Sequence, residues 1–125
     1  MPAILWPDVT ATVIGYLKPR LTGVFVGNEL PAPRPTSAVI IRDDGGQQIG
    51  DVRAMSRIGY NVWAETDADV ADLAALVEAH LSGMGEANVS PVVKSVVTRS
   101  YPIADDSDQP LRYGTAELWL RGTNL

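Results

Sequence analysis

Apolar residues recur at helical spacing in two parts of the chain, and the first of these is the segment 7–18. Its apolar positions mark a single helix face. They are Val9, Val13, Tyr16 and Leu17. Pro7 suits a first helical turn, Asp8 adds negative charge at the positive end of the helix dipole, and Pro19 stops the helix. The pattern predicts a helix over about 7–18.

The second helical stretch begins after Thr66, whose hydroxyl can cap it. Apolar residues then recur every three or four positions, at Val70, Leu73, Val77, Leu81 and Met84. Leu76 widens this stripe, and Gly83 or Gly85 ends the helix.

The segment 52–65 alternates with the period of a strand. One face carries Val52, Ala54, Ile58, Tyr60, Val62 and Ala64, with Ser56 as the exception. The other face carries Arg53, Met55, Arg57, Asn61, Trp63 and Glu65. Because the segment exceeds the length of an average strand, we expect it to bend at Gly59 or to project past its own core.

Shorter strands are predicted at 21–26 and 39–42, and longer ones at 92–101 and 111–120. Two segments between them look irregular. The first is a proline-rich arm at about 28–37, and the second is a flexible loop at about 43–50 that contains Gly45 and Gly46. The two last strands should form an antiparallel hairpin. We therefore predict one domain over 1–125 of the α+β class, with two helices packed on one face of a mixed, mainly antiparallel sheet.

The composition of the chain excludes several classes of function. The chain has 125 residues and no cysteine, which excludes a disulfide scaffold, a thiolate zinc site and a cysteine nucleophile. Ten basic residues are scattered among fifteen acidic ones, so we do not expect it to grip nucleic acid. The opening residues Met1–Asp8 do not resemble a signal peptide, and no apolar run has the length of a membrane helix. We expect a protein that stays in the cytoplasm where it is made.

A search for chemistry finds no strong site. His80 has no nucleophile nearby in sequence, and the segment from Asp67 to Glu78 departs from the calcium-loop pattern. The acids at 105–108 fit a solvated loop better than a cation site. We expect no catalytic residue, no cofactor and no metal, and hence a protein that is not an enzyme.

The strand faces turned away from the predicted core carry more than polar residues. Met55, Trp63 and Trp119 lie there beside several arginines. A second layer of the same chain could cover them, or they could form subunit contacts, since aromatic residues and arginine are enriched in interfaces. The candidate contact residues are Trp63, Trp119, Arg53, Arg57, Met55, Arg99 and Arg121.

The order of these features resembles the tail terminator and head–tail joining proteins of long-tailed bacteriophages. The resemblance rests on the Pro7-Asp8 helix start, the proline-rich segment, the strand ending at 60–64 and the final strand ending at 119–122. It implies a homohexameric ring in the virion, at the tail–neck junction. That ring would cap the tail tube, contact the major tail tube protein and the head–tail connector or stopper, and let DNA pass without specific binding. The candidate channel-facing loop residues are Asp43, Asp44, Gln47 and Gln48.

Two other functions fit the same sequence. One is a head-side adaptor or stopper of the phage neck, which neighbouring genes would distinguish from a tail terminator. The other is a small bacterial ligand-binding α+β domain, which should be a monomer or dimer with an apolar pocket. An unrecognised hydrolase is a third alternative that a bound metal would support.

Overall fold

The structure is a computed structural model that describes residues 3–87, 89 and 91–125. Met1 and Pro2, on which the expectation about the chain's opening partly rests, lie outside the described residues. In chain order the elements are β1 (Ile4–Leu5), α1 (Val9–Leu17), a 3-10 turn (Lys18–Arg20), β2 (Phe25–Gly27), β3 (Ala38–Gln48), β4 (Arg53–Trp63), α2 (Asp67–Ser82), β5 (Val92–Ile103), β6 (Leu111–Arg121) and β7 (Thr123–Asn124).

The central sheet has five strands in the order β2-β3-β4-β6-β5. Only β2 and β3 are parallel, and the remaining neighbours are antiparallel. β1 and β7 form a separate two-stranded sheet that joins the two ends of the described chain. The predicted α+β class with a mixed, mainly antiparallel sheet is confirmed.

Both helices begin at side-chain caps. The Ala11 N–H donates to the Asp8 carboxylate over 3.0 Å, and the Asp69 N–H donates to the Thr66 hydroxyl over 3.0 Å. These contacts satisfy backbone donors that a helix start otherwise leaves unpaired. Gly83 follows the last residue of α2, as the sequence predicted.

The two helices lie on the same face of the sheet, as predicted, and share its main core. That core includes Val13 and Leu17 from α1, Val77 and Leu81 from α2, and Ile58 from β4. The Tyr16 hydroxyl joins the helices by donating to the His80 carbonyl over 2.9 Å. We call the opposite side of the five-stranded sheet the open face.

Residues 43–48, expected within a flexible loop, belong instead to β3. They pair with β4 from Ile58 to Ala54, across a bulge between Asp43 and Gly46. Gly45 has a φ of +85°, and a Cβ on Gly46 would lie 2.0 Å from the Met55 carbonyl oxygen. The two glycines thus permit the bulge and the close strand approach, while the chain reverses at 49–52.

Three smaller expectations are also wrong. Val52 lies outside β4 at the reversal and is 38% exposed, so it adds nothing to the core face. Leu76 is 45% exposed because it lies on the outer side of α2, and it does not widen the buried stripe. The strand expected from Leu21 begins only at Phe25, since the preceding residues turn after the 3-10 segment.

Candidate functional site

The open face brings together most of the predicted contact residues. Strand register places Arg53 opposite Arg121 and Met55 opposite Trp119. Arg57 lies on the same face, opposite Glu117. The three arginines are exposed, whereas Met55 and Trp119 are partly buried. The face therefore combines partly buried apolar side chains with exposed cations, a combination that suits protein contact.

Lys94 of β5 completes this group at the sheet edge. Its register partner is Trp119, and its Nζ lies 5.0 Å from the centre of the Trp119 ring. That distance allows a cation–π attraction. Lys94 was absent from the candidates because its place beside Trp119 depends on a bulge after Val92 that no sequence pattern marks.

Arg99 is not part of the open-face group. It lies at the second bulge of β5, between Thr98 and Tyr101. Its Nε lies 3.9 Å from the Glu78 carboxylate of α2, on the helix side of the sheet, and its side chain is 89% exposed. An ion pair this long and this open to water contributes little to stability.

Trp63 lies on the open face, as the alternation of β4 predicted, but its own chain covers it, which is the first of the two alternatives. It is only 9% exposed and packs in a small second cluster with Ala38, Ile40, Leu111 and Leu30. The Arg34 guanidinium approaches to 5.9 Å from the ring centre. The proline-rich arm thus covers the tryptophan within a single subunit, and the arm has no helix or strand of its own.

The arm is held in place by the loop that precedes β6. The Arg34 guanidinium donates to Asp105 over 2.7 Å and to the Ser107 hydroxyl over 2.8 Å. The Gln109 amide donates to the Thr36 carbonyl over 3.2 Å. Asp105, considered at first as part of a cation site, is therefore occupied by groups of the chain itself.

These contacts lower the pKa of Asp105 to about 2. The Ser107 hydroxyl is the largest cause, burial opposes it, and the Arg34 guanidinium lowers the pKa further. The nearby Trp63 indole N–H lowers the pKa of Asp105 to a smaller extent. This buried N–H forms no hydrogen bond of normal geometry within the described residues.

The four candidate channel residues do not form one group. Gln47 lies opposite Met55 on the open face, while Asp43 and Gln48 lie opposite Ile58 and Ala54 on the helix side. The bulge that begins after Asp43 changes the alternation of β3 at Asp44.

Asp44 is held on the open face by its own partners. The Arg42 Nε donates to its carboxylate over 2.6 Å, and the Arg42 guanidinium also donates to the Tyr113 hydroxyl over 2.6 Å. The hydrogen bond from Arg42 is the main reason that the pKa of Asp44 is lowered, and the same bond raises the pKa of Arg42. Asp44 thus carries a charge that its own chain already neutralises.

The other side chains that could carry chemistry have ordinary structural roles. The His80 ring meets the Tyr16 ring edge to face at 6.4 Å. Asp67 and Asp69 lie in the first turn of α2, where they favour the helix dipole. Across residues 3–87, 89 and 91–125, no group of three or more possible ligands is arranged to hold a metal. None of the helices in the same ranges is both long and apolar enough to cross a membrane.

No family model matches the sequence, and no curated protein matches it significantly. The fold does have a solved counterpart. It is similar to a chain in the structure of the virion of a native gene transfer agent particle, with a TM-score of 0.60 and 16% sequence identity. The match covers 93% of this chain and 87% of the other. The likeness shows that 93% of this chain shares the fold of a chain in that particle.

Proposed function

We propose that the protein is a non-enzymatic structural component of a phage-like virion and serves as its tail terminator. In this role a homohexameric ring of the protein caps the tail tube and joins it to the head connector at the tail–neck junction. The observation that carries the proposal is the likeness in fold to a chain of a gene transfer agent virion, which extends over 93% of this chain. The sequence resemblance to tail terminators points to the same kind of particle.

The open face supports a role in assembly. Trp119 and Met55 are partly buried by their own chain and are surrounded by Arg53, Arg57 and Arg121. Aromatic residues, methionine and arginine are the types enriched where proteins meet. A closed ring requires contacts between two different surfaces of the same subunit, so the open face and the sheet edges are the candidates for one of them.

The acidic balance of the chain, with a net charge of −5, suits a ring through which DNA passes without being held. Asp43 and Gln48 lie on one side of the sheet and Gln47 lies on the other, so only part of the predicted set can face the same channel. A ring structure with both sides of this strand on its outer rim would remove the channel hypothesis.

The head-side adaptor or stopper remains the second candidate, because the likeness to a virion chain favours it equally. The two roles differ in what the ring binds. A tail terminator acts on the tail tube and stops its growth, whereas an adaptor binds the connector and leaves tube growth unchanged.

Tube growth in vitro tests the proposal. The tube protein is polymerised alone and with this protein, and tube lengths are measured by electron microscopy. We expect added protein to stop elongation and to shorten the mean length as its molar ratio rises. Tubes that grow to the same lengths with and without it would contradict the terminator role. A heat-unfolded sample of the same protein is the matched control.

A further inference from the structure

The outer edge of β5 is an unusually open strand edge. β5 is last in the sheet, and no strand in the described parts of the chain pairs with its outer side. Among the described residues, ten large hydrophobic side chains are exposed, and four of them lie on this one strand. They are Val93 at 38%, Val96 at 46%, Tyr101 at 54% and Ile103 at 38% exposure. Long apolar edges of this kind invite pairing with another chain unless something covers them.

The opposite edge of the sheet is also incomplete. β2 pairs with β3 only from Ala38 to Ile40. The part of β3 beyond Ile40, up to Gln48, has β4 on one side and no strand of the described chain on the other. We call residues 41–48 the free edge of β3. Ile49, just after it, is 47% exposed.

The two edges carry opposite charge. β5 contains Lys94 and Arg99 and no acid. On the free edge of β3, Arg42 and Asp44 neutralise each other and Asp43 remains. Asp43 and the exposed Arg99 both lie on the helix side of the sheet, so they can attract each other when the edges meet.

We infer that β5 of one copy pairs along its edge with the free edge of β3 in the next copy, so that the sheet continues from subunit to subunit. The occupant of each edge is therefore a second copy of this chain. The contact joins two different surfaces, which is the head-to-tail arrangement that closes a ring. Main-chain hydrogen bonds supply the attraction, and the exposed apolar residues of β5 lose contact with water. This inference rests on the proposed ring and assigns its subunit contact.

The regular stretch of β5 sets the expected contact. Bulges lie after Val92 and after Thr98, and the Ser100 N–H is already bound by the Glu78 carboxylate at 2.7 Å. The stretch Lys94–Thr98 between the bulges is regular, and no strand of the described chain pairs with its outer side. The Thr98 carbonyl at its end already accepts from the Tyr60 hydroxyl over 2.9 Å, which leaves Lys94–Val97 for the contact. Val96 within this stretch and Gln47 on the free edge both face the open side, and the inferred register sets these two side chains opposite each other.

Thiol cross-linking tests the contact directly, because the natural chain has no cysteine. In the full chain with Val96→Cys and Gln47→Cys, a flexible bis-maleimide reaches directly opposed and diagonal neighbours across a strand pair. We expect a ladder of covalent oligomers that ends at the ring. Each single variant should remain uncross-linked, and Gln47→Cys combined with Ala75→Cys on the outer side of α2 should give no ladder. Denaturation midpoints close to that of the natural chain confirm that the variants fold.

The outcomes separate the two claims. Rings seen by electron microscopy without a ladder in the double variant overturn the edge contact and leave the proposed function intact. Cross-linked dimers in the Val96→Cys variant alone indicate that β5 meets β5, which also overturns it. The absence of any oligomer, both free and on tube ends, contradicts the ring and the edge contact together.

Discussion

The Arg34 guanidinium donates a hydrogen bond of 2.7 Å to the Asp105 carboxylate. This contact joins the proline-rich arm to the loop before β6, and Trp63 lies beneath it with 9% of its surface exposed. The sequence placed Trp63 on an outer strand face, and that part was right. Its cover comes from residues far away in the chain, which no local pattern reveals.

Arg34→Ala should loosen the arm over Trp63. Because the ion pair is partly open to water, we expect the free energy of unfolding to fall by only about 1 kcal/mol or less. The Trp63 indole N–H resonance should shift strongly, since its neighbours change. Lys18→Ala, at the exposed end of α1, is the matched loss of a cation and should leave that resonance in place. An unmoved resonance in Arg34→Ala would show that the arm does not depend on Arg34.

The lowered pKa of Asp105 gives this contact a pH dependence. Its folded-state pKa of about 2 lies below the ordinary value of about 4, so its stabilising contribution is present above pH 4 and is lost as the pH falls toward 2. Asp105→Asn removes this contribution. The difference in unfolding free energy between the natural chain and the variant should therefore shrink between pH 4 and pH 2. A constant difference over that range would contradict the assignment.

The two tryptophans of the open side should respond differently to truncation. Trp63→Ala removes a buried side chain and should lower the free energy of unfolding by about 3 kcal/mol or more. Trp119→Ala removes a partly buried ring and should cost less stability while weakening assembly more. Chemical denaturation measures the first effect, and light scattering across a concentration series measures the second. Equal stability losses with unchanged assembly would mean that Trp119 serves only the fold.

Two glycines provide a matched test of the packing. A Cβ on Gly114 would lie 2.3 Å from the Tyr60 ring, whereas one on Gly15 meets nothing within 4 Å. Gly114→Ala should therefore destabilise the protein by about 1–3 kcal/mol. Gly15→Ala, within α1, should stabilise it by about 0.5–1 kcal/mol. Thermal unfolding of both variants checks the pair, and a tolerated Gly114→Ala would contradict the packing of β4 against β6.

Regular elements with strong periodicity were predictable. The α2 stripe through Val70 and Val77, the Thr66 cap and the alternation of β4 each follow from local sequence. The hairpin of β5 and β6 followed from the short polar loop between them. These features are local, so spacing alone identifies them.

The segment 43–48 was wrongly predicted as a flexible loop, and the error has a physical reason. Asp43 to Gln48 contains no apolar alternation, and its two glycines are typical of a turn. Pairing with β4 makes it a strand, and the glycines permit a bulge. The sequence also could not predict which strands form the edges of the sheet, because strand order depends on pairing between distant segments. For the same reason neither the position of Lys94 beside Trp119 nor the cover over Trp63 could be predicted from the sequence.

Electron cryomicroscopy of tube ends formed in the presence of this protein tests the central claim most directly. We predict an extra sixfold layer at one end of each tube, with density that fits six copies of this fold. Bare tube ends, or density with another symmetry or another fold at the cap, would contradict the account.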